Sequence, residues 1–198
     1  MTFLAVFVLA VLQTASKPQQ APAPLSPAPG NPVAVISTNM GDITVELFKD
    51  RAPVSVENFL QYANDGFYNG TVFHRVQRGF VIQGGGYTAD MVEKRTRAPI
   101  LNEATNGLRN LRGTLGMARK RELRSATSQF YVNVANNIEL DHRGYVPDDF
   151  GYAVFGRVLE GMDVVDEIAS VATGRRGGHD SVPIKPVVIT AVKLKSAR

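Results

Sequence analysis

From Val33 onward, short runs rich in Val, Ile, Thr and aromatic residues recur between clusters of Gly, Asn and Pro, and this cadence restricts the chain to an architecture built mainly of β-strands. In GDITVELF, residues 41–48, Ile43, Val45 and Leu47 alternate with Thr44 and Glu46, the two-residue period of a strand with one face in a core. Residues 33–38 read as its hairpin partner. Further strands are expected at 71–76, 81–83, 113–118, 129–134, 152–159 and 186–195, which makes eight. Two stretches have helical spacing instead. Pro53 opens the first, Val56, Phe59, Leu60 and Ala63 return at intervals of three and four, and Asp65-Gly66 stops it. Residues 162–170 form the second, with Met162, Val165 and Ala169 on one face. Eight strands closed on themselves leave no exposed edge and an interior that side chains just fill. The expected fold is therefore mainly β, a closed eight-stranded antiparallel β-barrel capped by two α-helices.

Upstream the composition changes. Residues 17–32, KPQQAPAPLSPAPGNP, hold six prolines and no β-branched residue, the make-up of an extended linker. Before them, MTFLAVFVLAVLQTAS carries an apolar run over 3–12 followed by Thr14, Ala15 and Ser16, the pattern of a signal-peptide core and cleavage zone, too short to span a bilayer. The expected organisation is a signal peptide at 1–16, a flexible linker at 17–32 and one folded domain at 33–198. The protein would be exported, with no stable membrane insertion once the signal is removed. The folded part keeps 21 basic residues, all but Lys17 of the chain's 22, against 18 acidic ones; a charge of that size favours solubility without implying a nucleic-acid partner. The chain has no cysteine, which excludes disulfides, thiolate metal ligands and a cysteine nucleophile.

The common signatures of chemistry are missing: no G-x-S-x-G, no H-E-x-x-H and no phosphate-binding G-x-x-x-x-G-K-[ST] occurs. His74, His142 and His179 are scattered and lack the spacing of paired ligands, so no metal is expected. Gly84-Gly85-Gly86 follows a strand but opens no helix, and reads as a strand-ending bend rather than a phosphate loop. Asn69-Gly70-Thr71 is a glycosylation sequon that a turn before a strand explains as well. Arg119, Lys120, Arg121 and Arg124 have no interleaved aromatics and suit a solvated loop better than a nucleic-acid surface.

What remains is a set of long, ordered motifs: YNGTVFHRV, FHRVQRGFVIQGG, LGMARK, SATSQFYVNVANNIELD and FGYAVFGRVLEGMDVVDEI. In sequence, order and spacing these resemble cyclophilins, the resemblance covers essentially all of residues 33–195, and it is nearest to the bacterial exported, periplasmic branch. It implies a peptidyl-prolyl cis/trans isomerase that rotates Xaa-Pro bonds in unfolded or flexible polypeptides, assists the folding of exported proteins, acts as a monomer and needs no metal or cofactor. Carried over motif by motif, the essential arginine is Arg75 and the apolar residue under the substrate proline is Phe80, with Val81 beside it and Gln83 nearby. Ala118 and Arg119 would lie along the substrate backbone, Gln129 is the second glutamine, Tyr131 the pocket aromatic, and Leu140 and Tyr152 close the pocket. Gln129 and Tyr131, two apart on a strand, share a face, and Phe130 points to the other, into the barrel. Family members that bind cyclosporin tightly usually carry tryptophan just before the leucine matching Leu140; Glu139 stands there, so weak cyclosporin binding is expected. The basic rim at 119–121 also leads one to expect a preference for acidic peptides. Ordinary core packing would account for Phe80, Tyr131 and Leu140 without the flanking motifs. A proline-binding module without turnover is the competing class.

Overall fold

The computed structural model describes residues 26–195; the expected signal peptide at 1–16 and the first part of the expected linker, 17–25, lie outside the described residues. The strands are β1 (Val33–Thr38), β2 (Gly41–Leu47), β3 (Thr71–Gln77), β4 (Val81–Thr88), β5 (Thr114–Met117), β6 (Phe130–Asn133), β7 (Val154–Glu160), β8 (Thr173–Arg176), β9 (His179–Pro183) and β10 (Val188–Leu194). Helix α1 (Pro53–Asn64) follows β2 and α2 (Met162–Ala169) follows β7. Eight strands close into an antiparallel barrel in the order β1-β10-β3-β4-β6-β5-β7-β2, and β8 pairs only with β9. The barrel and both helices agree with the sequence expectation.

The period of two in β2 becomes a burial pattern only partly, because closure covers both faces of its second half, from Ile43 to Leu47. Within that stretch Glu46 is a fully buried carboxylate. Burial opposes its ionisation, but Asn31 Nδ2 and the backbone N–H of Ala28 each donate to Oε1 at 2.7 Å and Arg157 Nε donates to Oε2 at 2.7 Å, so its pKa falls below the usual carboxylate value. These bonds tie residues 26–32 to the barrel wall, and Leu47 N adds a bond to Pro32 O at 2.9 Å.

In α1, Pro53 occupies the first turn, where a missing N–H costs nothing, and the remaining free N–H groups are met from a distance. Glu103 accepts from Val54 N at 3.0 Å and from Ser55 N and Oγ at 2.8 and 2.7 Å, placing a carboxylate at the positive end of the helix. The helix drives Phe59 into the barrel, where its ring meets Phe130 edge-on at 5.4 Å and Phe155 at 5.5 Å. Phe130 is fully buried, on the inward face expected for it. Among the described residues no helix is long and apolar enough to cross a membrane.

Two elements differ from the sequence reading. The glycine run does not end β4: Gly84, Gly85 and Gly86 lie inside it, because neighbouring atoms leave no room for a side chain. A Cβ at Gly84 would stand 2.9 Å from Val72 O, and one at Gly86 2.5 Å from Gln129 Cγ. The β8–β9 hairpin was not expected at all. Its β8 is exposed throughout, so no hydrophobic alternation marks it, and the Gly177-Gly178 turn, both residues at positive φ, is its one local signal.

Candidate active site

Strand register builds the site as one row across four adjacent strands. Arg75 on β3 faces Gln83 on β4, Gln83 faces Tyr131 on β6, and Tyr131 faces Gly116 on β5. Cross-strand neighbours of this kind are the closest side chains a sheet offers. Gly116 is what admits the aromatic: Tyr131 folds its ring over the strand where a partner side chain would stand, and a Cβ there would be 2.2 Å from Cζ. The Tyr131 hydroxyl donates to Asn110 Oδ1 at 2.6 Å, and burial pushes its pKa far up, so it remains a donor. Asn110 is itself held by Asp141, which accepts from its N–H at 2.7 Å.

Arg75 is half-buried and supported on three sides. Nη2 donates to Gln77 Oε1 at 2.7 Å, Nη1 donates to Gln83 Oε1 at 3.3 Å, and Cζ lies 5.5 Å from the centre of the Phe80 ring. Gln83 Nε2 then donates to Gln129 Oε1 at 3.0 Å, so the second glutamine orients the first. Beside Arg75 opens a cavity of about 240 Å³. It is lined by Phe80, Val81, Gln83, Ala118, Arg119, Tyr131, Leu140 and Tyr152 together with Arg75. Nine of the ten residues carried over by motif therefore line one small pocket of mixed polar and apolar surface. Gln129 lines the adjoining groove of about 1030 Å³, which shares Arg75, Gln83, Ala118 and Arg119 with the pocket. Glu139 is exposed next to Leu140.

Sequence reasoning passed over three residues of this arrangement. Gln77 was within reach, since two residues along a strand from Arg75 means the same face. Asn110 had no local signal, being 21 residues from the hydroxyl it meets. Gly116 sits within a motif, but its function depends on a partner in the next strand. Of the histidines, His74 and His179 come together on Tyr87, with ring centres 4.6 and 4.8 Å from it. His142 packs elsewhere, against Tyr145 and Phe150. Among the described residues no three His, Cys, Asp or Glu side chains are grouped to hold a metal ion. Burial and the adjacent His179 lower the His74 pKa to about 4, so its imidazole is neutral at pH 7.

An eight-stranded barrel thus carries on its wall a small pocket with Phe80, Val81, Tyr131, Leu140 and Tyr152 around it and the Arg75 guanidinium beside it, a class of site that can seat a compact ring next to a permanent donor. Residues 33–194 match the family model described as cyclophilin type peptidyl-prolyl cis-trans isomerase/CLD. The chain belongs to the cyclophilin family, and it is a peptidyl-prolyl cis/trans isomerase acting on Xaa-Pro segments. It is 54% identical over 160 residues to peptidyl-prolyl cis-trans isomerase A of Dickeya dadantii, covering 81% of this chain and 83% of that one. Against peptidyl-prolyl cis-trans isomerase B of Escherichia coli it is 54% identical over 157 residues, 79% of this chain and 96% of the relative. The crystal structure of a Cryptosporidium parvum cyclophilin type peptidyl-prolyl cis-trans isomerase superposes with a TM-score of 0.68 at 24% identity, over 85% of this chain and 99% of that one, a likeness of fold.

Proposed function

We propose that Arg75 accelerates rotation about the Xaa-Pro bond by stabilising the twisted transition state, with no covalent intermediate and no proton transfer. The barrier to peptide rotation, about 18–20 kcal/mol, reflects lost amide resonance, and each ~1.4 kcal/mol removed gives tenfold in rate. As the bond twists, the prolyl nitrogen becomes pyramidal and gains a lone pair that neither planar ground state has. A donor fixed near that nitrogen binds the transition state in preference to both ends of the reaction. The guanidinium is a planar fork that keeps its charge, and two of its nitrogens are already committed to Gln77 and Gln83, so little reorganisation is needed when substrate arrives. Phe80, Val81, Tyr131 and Leu140 take the pyrrolidine ring and exclude water, which strengthens the field of the arginine. The observation that carries this reading is the position of Arg75 on the pocket that Phe80, Val81, Tyr131 and Leu140 line, held by two glutamines above the Phe80 ring.

The protein is read as an exported, periplasmic catalyst that assists the folding of exported polypeptides and works as a monomer. The apolar run at 3–12, the small residues after it and the proline-rich segment support export. Cyclosporin binds it weakly, because Glu139 offers a charge where an indole would offer apolar area and a donor. Two measurements test the reading. Arg75→Ala should lower kcat/KM for an Xaa-Pro peptide at least tenfold and by ~100-fold or more if the whole of one preorganised donor, ~3 kcal/mol, is lost. Its thermal stability should change by no more than about 1 kcal/mol, as for other partly solvated side chains. Mass spectrometry of the mature protein after cell fractionation should find a start near Lys17 in the periplasm; Met1 retained on a cytoplasmic protein would overturn the export reading.

A further inference from the structure

Arg119 directs its guanidinium at the protein, not at the open pocket. The pocket edge is made by two loops: residues 118–129 join β5 to β6 and carry Ala118, and residues 134–153 join β6 to β7 and carry Leu140 and Tyr152. Arg119 leaves the first loop and crosses to the second, where Nε donates to Gly151 O at 2.9 Å and Nη2 to Pro147 O at 2.8 Å. Nη1 reaches back to its own loop, donating to Lys120 O and Arg121 O at 3.0 Å each. The same group lies 4.8 Å above the Tyr152 ring. Gly151 is shaped for this contact. Its φ is +78°, and a Cβ there would be 2.6 Å from His142 N, so only glycine can present that carbonyl. A second donor, Asn102 Nδ2, meets the same oxygen at 3.0 Å.

We propose that Arg119 is a positioning residue, a clamp that joins the two loops and so sets how closely Tyr152 and Leu140 stand to Ala118 across the proline pocket. The proposal rests on the reading of that pocket as the substrate site. A forked, permanently charged group can satisfy four carbonyls on two loops at once, and an ammonium on a flexible stem cannot. Charge-assisted bonds in a half-buried setting are also stronger than an exposed ion pair. The structure supplies its own control in Arg121 and Asp148, which pair across the same loops at 3.1 Å with both side chains largely exposed, 76% and 72%.

The experiment compares Arg119→Ala, Arg119→Lys and Arg121→Ala in two readouts: steady-state isomerisation of an Xaa-Pro peptide, and amide hydrogen exchange at Arg143, Gly144 and Tyr152, whose N–H groups bond to Asp149 O and Leu140 O within the second loop. A loosened pocket loses uniform binding, so Arg119→Ala should raise KM about fivefold or more while kcat stays within about threefold. Exchange at those three amides should quicken in the same protein. Arg119→Lys should shift both readouts in the same direction, and Arg121→Ala should shift neither. Unchanged KM and exchange in Arg119→Ala would overturn the clamp, and so would a fall in kcat with KM and exchange intact, which would put Arg119 on the reacting atoms. Should Arg119→Ala fail to fold, Arg119→Gln carries the same two readouts with the bulk retained. An inactive wild type would refute the reading of the pocket, and the exchange comparison would still decide the clamp.

Discussion

Replacing Gly116 by alanine adds a single methyl group, yet the structure gives it no room. The new Cβ would stand 2.2 Å from Tyr131 Cζ, 2.3 Å from the hydroxyl oxygen and 2.7 Å from Cε2, all well inside contact distance. Gly116 does not have a positive φ, so no backbone strain enters, and in a strand alanine would otherwise stabilise by about 0.5–1 kcal/mol over glycine. Against that stands overpacking at about 1–3 kcal/mol, together with the bond from the Tyr131 hydroxyl to Asn110, which cannot survive displacement of the ring and leaves buried groups unpaired at about 1–3 kcal/mol. The clash wins. Gly116→Ala should lose about 2–3 kcal/mol, a Tm drop of roughly 5–10 °C for a domain of this size. Because Tyr131 lines the pocket, displacement of its ring should raise KM for an Xaa-Pro peptide as well. Tyr131→Leu removes all three clashing atoms, so adding Gly116→Ala to it should cost almost nothing. A Gly116→Ala protein with wild-type Tm and KM would refute the reasoning, and an equal loss in the Tyr131→Leu background would show that the ring is not the cause.

Three further outcomes are expected. His74 has a folded pKa of about 4 against an ordinary 6.5, so the unfolded chain binds the extra proton first; stability is full above pH 6.5 and declines as the pH falls toward 4, by about 3 kcal/mol in total. Thermal melts of His74→Gln should lose that slope while keeping the loss at still lower pH that Glu46, with its lowered pKa, contributes; parallel curves for the two proteins would refute the assignment. Cyclosporin should inhibit poorly, since exposed Glu139 stands beside pocket residue Leu140, and nanomolar inhibition would contradict this. The contacts that residues 119–121 make argue against a strong form of the acidic preference expected from their charge. Arg119 is bound to carbonyls, Arg121 pairs with Asp148, and the groove that Lys120 and Arg124 line is also lined by Glu93, Glu122 and Asp180. Peptides with Glu or Lys beside the Xaa-Pro bond should therefore react within about twofold of each other even at low salt, and a tenfold difference would restore the charged-rim reading.

The barrel was legible because its strands carry their pattern locally. Alternation in β2, the inward Phe130 between outward Gln129 and Tyr131, and the spacing of Val56, Phe59 and Ala63 each fix a face without reference to the rest of the chain. Gly84 to Gly86 misled for the opposite reason. A glycine run looks like a break, and only the atoms of Val72 in β3 and of Gln129 just before β6 reveal why glycine is required inside β4. The pocket's inner surface was legible through motifs, and its supports were not. Gln77, Asn110 and the crossing of Arg119 to Pro147 and Gly151 are long-range or lateral contacts, and a sequence shows the donor without its acceptor.

The central claim is that Arg75 acts on the twisted bond and not on the bound peptide. Arg75→Lys tests it most directly, with peptide affinity and the rate of cis/trans exchange of the bound Xaa-Pro peptide both measured by NMR on the folded variant. A point charge keeps the attraction to the peptide and loses the fork, so affinity should stay within about threefold of wild type while exchange slows by about 30-fold or more. Exchange that continues at the wild-type rate, or that falls only in proportion to lost affinity, would contradict the account.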